Sequence, residues 1–217
     1  MTTARTSNAR SRRAGRARRG TGDQLRDEIL DAAERLLVDR GSVDAVSIRA
    51  VAGAVGVTPP SIYLHFTDKE ALFFAVCSRR FTRFGSALLA ATEGVEGPVE
   101  QLYALGRGYV EYGLTHPEHY PVLFSGHVDP TRHVEDVASL PGYQALQLLI
   151  SVVARGMEEG VLAPGDPAQV AIGLWSTTHG FVSLALTGNT DHLPGIDLRG
   201  SADAVLRQAI PGILSAP

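Results

Sequence analysis

Seven arginines fall in the first 22 residues (Arg5, Arg10, Arg12, Arg13, Arg16, Arg18, Arg19), with no acidic side chain among them. Guanidinium groups at that density suit a polyanion, because they displace counterions from phosphates without reading a sequence. His116, His119, His127 and His133 form a second set. His116 and His119 are three apart, but Pro117 intervenes and no carboxylate-rich shell is evident, so metal ligation is not expected. Cys77 is the only thiol, which excludes an internal disulfide and a cysteine-based zinc site. With Phe73 and Phe74 nearby, it reads as a buried, inert side chain. Trp175 and His179 are four apart and share one helix face. They are either an aromatic–imidazole pair packed inside the fold or the wall of a ligand pocket with His179 as donor. No Gly-rich phosphate loop, nucleophile elbow or metal motif appears, so no catalytic residue, cofactor or metal is expected, nor an enzyme.

Charge is segregated along the chain. Residues 23–80 carry seven basic and nine acidic side chains, whereas residues 81–217 carry six and fourteen. The overall net charge of -3 therefore hides a basic front and an acidic body, and points to a polyanion partner for the front alone. The first 22 residues lack hydrophobic periodicity and are expected to form a disordered, phosphate-binding arm. A passive tail and a transit peptide share that composition, although few apolar residues are present to make an amphipathic face. No apolar core of a secretory signal is present, and no apolar run is long enough to span a membrane.

These groups need elements to hold them. Leu25, Ile29, Ala32, Ala33, Leu36 and Leu37 make the stripe of an amphipathic helix over residues 23–40, with Thr21 and Gln24 as a capping box and Gly41 past the end. Ser47 caps a second helix, Ile48 to Val55, and Gly56 supplies the turn that ends it. Thr58 then caps a short helix. Pro59 and Pro60 occupy its first turn, where a missing N–H costs nothing. Thr67 to Glu70 reads as another capping box, opening a long helix to about residue 90. After Gly94–Pro98, helices are expected over 98–115, 118–126, 139–159, 166–188 and 201–214. The fold class is all-α with about nine helices, divided into the arm (1–22), a three-helix DNA-binding domain (23–70) and a helical body (71–217).

Two short helices joined by a tight glycine turn make a helix-turn-helix, whose second helix enters the DNA major groove N-terminus first. The prolines hold that first turn in helical geometry, and small residues such as Thr58 and Ser61 permit close approach. Val57 and Ile62 should point inward. Pro59, Pro60, Ser61, Tyr63, Leu64 and His65 are left for the outer surface.

Residues 48–70, IRAVAGAVGVTPPSIYLHFTDKE, resemble the DNA-binding segment of the tetracycline-repressor (TetR) family. The residues carrying the likeness are Ala52, Val55, Gly56, Val57, Ser61, Tyr63, His65, Phe66, Lys69, Glu70 and Leu72. The resemblance implies that Tyr63, His65 and Lys69 contact phosphates and that Arg49 reaches a phosphate or base. It also implies that Thr58, Pro59 and Ser61 face the bases, within a surface that includes Ser47, Pro60 and Leu64. Lys69 is the chain's only lysine, and it sits at a helix start, where the macrodipole repels cations. The reading helix opens without Gln, Asn, Arg or Lys for bidentate base contacts, so thymine methyl groups and DNA shape are the expected means of discrimination.

The body resembles the same family's C-terminal domains more loosely. Trp175-x-x-x-His179-Gly180 looks like the signature of a subclass with a Trp-His-Gly-bearing domain. Tyr103, Arg107, Tyr109, Phe124, Trp175 and His179 are the expected pocket residues, though Arg107 reads more readily as a solvated charge than as a partner for an anionic effector. Gly106 and Gly108 weaken their helix unless a ligand or neighbouring helix needs the space. Small residues at 168, 171, 173, 176, 180, 183 and 185, with the last helix, are expected to form a homodimer interface. The implied function is a ligand-responsive cytoplasmic regulator of transcription, a repressor that a small molecule releases from a palindromic operator on double-stranded DNA. The alternative is an architectural DNA-binding protein without an effector.

Overall fold

The computed structural model describes residues 6–124, 129, 132–134, 136–188 and 197–215, and side chains within these except those of residues 6–21, 121, 198 and 199. Among the described residues the chain is helical, with nine α-helices and a single isolated bridge between Leu162 and Leu214. It forms two units, Met1–Val76 and Cys77–Pro217.

The first unit contains α1 (Thr6–Arg40), α2 (Ile48–Val55), α3 (Pro59–Tyr63) and the first turns of α4 (Lys69–Thr92). The α1 stripe packs as its spacing dictates: Ile29, Leu30, Ala32, Ala33 and Leu37 are buried, with Leu25 and Leu36 half-buried. Val46, Ile48, Val51, Ala52, Ile62, Phe66, Leu72, Phe73 and Val76 complete the core. Gly41 ends α1 at φ 71°, a conformation that favours glycine.

Two helix starts differ from the sequence expectation. The α1 backbone is helical from Thr6, not from Asp23, and Gln24 bonds forward to Glu28 (2.9 Å). Residues 6–20 hold no proline and are dominated by Arg and Ala, both good helix formers. Helix α4 is capped by Asp68 rather than Thr67, with an Asp68 Oδ1 accepting from the Ala71 N–H at 2.7 Å. A carboxylate meets the positive end of the helix dipole better than a hydroxyl does.

The second unit holds the rest of α4 with α5 (Pro98–Thr115), α6 (Tyr120–Phe124), α7 (Pro141–Glu158), α8 (Pro167–Leu186) and α9 (Leu198–Ala209). Helices α5, α7 and α8 each begin on a proline, and Asp166 caps α8 by accepting from the Ala168 N–H at 2.9 Å. The expected last helix is divided: α9 ends at Ala209 and a 3-10 turn, Pro211–Ile213, follows. Pro211 has no N–H to continue the ladder. Residues 125 and 126 of the expected 118–126 helix lie outside the described residues, as does His127.

The glycines of α5 are explained by neighbouring helices. A Cβ on Gly106 would lie 2.4 Å from a Leu206 methyl on α9, and one on Gly108 would lie 2.8 Å from the Ala91 Cβ on α4. Close approach of this kind offsets the helix propensity that glycine forgoes.

Candidate nucleic-acid interface and interior cavity

The reading head is built by local rules. Ser47 accepts a hydrogen bond from the Ala50 N–H (3.2 Å) and starts α2. Gly56 ends it in the left-handed conformation, φ 81°, with its N–H bonded to the Ala52 carbonyl at 2.9 Å. Thr58 has the extended backbone of a cap, but its hydroxyl lies 3.1 Å from that of Ser61 instead of capping a backbone N–H. The reason is that Pro59 and Pro60 have no N–H, and the Ser61 N–H already reaches the Thr58 carbonyl at 2.9 Å. The first turn of α3 therefore has no orphan donors to offer a phosphate in the usual helix-end manner. What it presents is a hydroxyl pair and apolar surface.

Ile62 (0% exposed) and Phe66 (5%) anchor the underside of this segment. On the other side Tyr63 is 52% exposed and Leu64 85%. Ser47, Arg49, Thr58 and Pro60 are also exposed, while Pro59, Ser61, His65 and Lys69 are half-buried. The surface expected from the sequence is thus assembled within one unit. Val57, expected inside, is half-buried. Lys69 has protein partners: its Nζ lies 3.5 Å from the Asp44 carbonyl and 6.0 Å from the Phe73 ring centroid. Sequence reasoning missed Arg26, whose guanidinium lies 5.0 Å over the Phe66 ring.

The second unit contains a cavity of about 340 Å³ that is partly open to solvent, with exposed Val137 and Tyr143 among its lining residues. Of the residues named from the sequence, Tyr109, Phe124 and Trp175 line it, together with Phe81, Phe84 and Leu88 of α4. His179 does not line the cavity but closes a polar network behind its wall. The Trp175 Nε1–H donates to the Tyr109 hydroxyl (3.2 Å), which lies 3.1 Å from the Tyr120 hydroxyl. His179 Nδ1 lies 2.6 Å from the Tyr120 hydroxyl and 2.9 Å from that of Tyr109. Burial raises the pKa of both tyrosine hydroxyls, that of Tyr109 strongly, and holds the His179 imidazole below its own. A neutral imidazole accepting at Nδ1 fits one direction of donation, from Trp175 through Tyr109 and Tyr120 to His179. Tyr120 was missed by sequence reading; no local spacing connects it to residues 59 positions away.

Tyr103 and Arg107 are placed elsewhere. The Arg107 side chain is exposed, 3.7 Å from Asp203 and 5.8 Å from the centroid of the Tyr103 ring, and neither residue lines the cavity. His116 stacks on Tyr112 (4.5 Å) and on His119 (5.3 Å). Among the described residues no group of three or more His, Cys, Asp or Glu is arranged to hold a metal. Burial raises the Cys77 thiol to about 11, so it is protonated and unreactive at neutral pH. Arg80 is fully buried, with an Nη1–H to the His119 carbonyl (3.5 Å), and nothing in the sequence marks it.

Helix α8 contains no Asp, Glu, Lys or Arg across its 20 residues. Ala171, Thr178 and Val182 face the core, whereas Ile172 (48%) and Leu184 (55%) are exposed, with Gly173 and Ser176 between them. Leu206 and Ile210, which belong to the last helix expected at a dimer interface, are buried in the unit's own core. No described helix is long and apolar enough to cross a membrane.

Known proteins share both units. Residues 29–76 match the profile for bacterial regulatory proteins of the tetR family, and residues 102–209 match the tetracyclin repressor-like C-terminal domain. The helix-turn-helix-type regulator YobS of Bacillus subtilis is 26% identical over 157 residues, which is 72% of this chain and 76% of that one. The regulator EthR of Mycobacterium tuberculosis is 34% identical over 93 residues, but only 43% of each chain is covered. Among solved structures, a protein of unknown function from Rhodococcus sp. RHA1 superposes with a TM-score of 0.72 at 28% identity, covering 87% of this chain and 95% of that one. A TetR family regulator from Marinobacter aquaeolei VT8 superposes at 0.71 with 21% identity, covering 91% and 100%. TetR-family regulators are typically non-enzymatic, bind DNA and small-molecule effectors, and are generally dimeric. With a helix-turn-helix head under one profile and a cavity-bearing helical body under the other, the chain belongs to the TetR family of helix-turn-helix transcriptional regulators.

Proposed function

We propose that this regulator is a cytoplasmic homodimeric repressor, without catalytic activity, that a small molecule releases from a palindromic operator. The observation that carries the reading is the exposure of Tyr63 and Leu64 on a proline-led helix whose opposite side, Ile62, is fully buried. A large aromatic and a leucine held in solvent on a rigid base suit an occupant not present in the free chain. In the major groove, Thr58, Pro59, Pro60, Ser61 and Leu64 meet base edges and thymine methyl groups. Tyr63, His65 and Lys69 take phosphates, Ser47 adds a hydroxyl, and Arg49 reaches a phosphate or base. The arginine arm adds contacts that do not depend on sequence. Pairing through the uncharged face of α8 with α9 sets two reading helices about 34 Å apart, or a multiple of that.

The effector site is the cavity of the second unit. Helix α4 begins with Lys69 in the head and contributes Phe81, Phe84 and Leu88 to the cavity wall. A ligand that favours one position of those side chains re-aims α4, and full release requires it to favour that form by about 5 kcal/mol. The test is fluorescence anisotropy on two labelled duplexes, one from the region upstream of the chain's own gene and one of random sequence. The upstream duplex is expected to bind at least 100-fold tighter, in the range of specific over non-specific recognition. Equal binding would contradict the reading and favour an architectural protein without an effector.

A further inference from the structure

We infer that the cavity takes an uncharged, predominantly apolar small molecule of on the order of fifteen non-hydrogen atoms, a size set by filling about 340 Å³ at the packing density of a protein interior. The inference rests on the cavity being the effector site, as proposed above. Its ground is the chemistry of the wall. No Asp, Glu, Lys, Arg or His is among the described lining residues. The polar groups that do line the cavity are mostly committed to one another. The Trp175 N–H is given to Tyr109, the Tyr109 hydroxyl sits in the relay to Tyr120 and His179, and the Thr178 hydroxyl donates to the Leu174 carbonyl at 2.7 Å. What remains is the Tyr143 hydroxyl, on a side chain 38% exposed, and the spare lone pairs of Thr178. That is enough for one neutral hydroxyl or carbonyl.

A carboxylate entering this space loses its hydration and finds no cation and almost no free donor. An ammonium ion finds aromatic faces, which attract cations. No acid among the described lining residues neutralises it, so the desolvation cost dominates. An alkyl or aryl framework loses nothing on entry and gains contact with Phe81, Phe84, Leu105 and Leu149.

Trp175 is the only tryptophan of the chain and lies in the cavity wall, so intrinsic fluorescence reports occupancy directly. The full chain is titrated at pH 7 with 1-decanol, 1-octanol, decanoate and decylammonium, each below its aggregation limit. 1-Decanol is expected to give a saturable change, and 1-octanol to bind about fifteenfold more weakly, from about fourfold per methylene. Decanoate and decylammonium are each expected to bind at least tenfold more weakly than 1-decanol. Either ion binding as tightly as the alcohol overturns the inference, and so does the lack of a saturable change with 1-decanol. Ala145→Phe fills the space and should abolish 1-decanol binding, with the milder Ala145→Leu weakening it at least fivefold. Undiminished affinity in whichever variant keeps the wild-type helical content overturns the placement. Operator affinity is measured separately. Saturating 1-decanol that leaves it unchanged contradicts release by the ligand but not the ligand class, whereas a preference for an ion contradicts the class alone.

Discussion

In the first unit the proposed working side chains stand in solvent: Tyr63 and Leu64 are 52% and 85% exposed, one and two residues after the fully buried Ile62. In the second unit the working side chains face inward. Tyr109 is 6% exposed and joins Trp175, with which it lines the cavity, to Tyr120 behind the cavity wall. The difference follows from what each unit proposes to bind. A duplex is far larger than the head and is met with an outer surface, so the head's residues lie within one short stretch, 47–69. A small molecule must be wrapped, so the cavity wall runs from Phe81 to Ile210. In the head, core and surface are separate side chains on opposite faces. In the body, the same side chains serve stability and the proposed recognition together.

Substitutions separate these two designs. The largest effect is expected from Ile62→Ala, which should destabilise the chain by about 3 kcal/mol through the cavity it leaves. Denaturant unfolding measures it, and a loss below about 0.5 kcal/mol would mean that α3 has no firm base. Next is Tyr109→Phe, which leaves the Trp175 N–H without its acceptor and interrupts the relay. A destabilisation of about 1–2 kcal/mol is expected by the same measurement, and a neutral result would show that the network is not a structural part of the wall. Lys69→Ala sharpens the contrast from the head's side. Its half-buried ammonium is proposed to meet one phosphate, so the slope of log affinity against log salt should fall by about one unit. An unchanged slope would leave Lys69 only its contacts to Asp44 and Phe73.

The smallest expected effect concerns pH. Burial holds the folded His179 below 6.5, so the unfolded chain binds the proton more readily. Stability from this group is present above pH 6.5 and is lost as pH falls toward the lower folded value. His179→Gln should flatten the dependence of stability on pH in that window. A slope identical to wild type would mean that His179 does not titrate differently in the two states.

The head was legible in the sequence because its signals are local. Ser47 as a cap, Gly56 as a left-handed turn, and Pro59 and Pro60 as a helix start each depend on neighbours a few residues away. Even there, competition among adjacent caps was decided by strength: Asp68 displaced Thr67 because a carboxylate accepts more strongly than a hydroxyl. The body was legible as helices, since Pro98, Pro141 and Pro167 mark their starts. Its candidate site was only half legible. Trp175 and His179 share a helix face, which periodicity reveals, whereas Tyr120 joins them only through tertiary packing. At Arg107 the sequence left two readings open, pocket or solvent; the flanking glycines make room for Leu206 and Ala91 while the arginine turns to Asp203 in solvent.

The most direct test of the account is the affinity of a Tyr63→Ala, Leu64→Ala variant for the duplex upstream of the chain's own gene, measured by anisotropy beside wild type. Both side chains are largely exposed, so truncation should leave the unfolding midpoint unchanged. The account predicts a loss of operator affinity of tenfold or more at an unchanged midpoint. Wild-type affinity in the variant would contradict it, because α3 would then not be the surface that meets DNA.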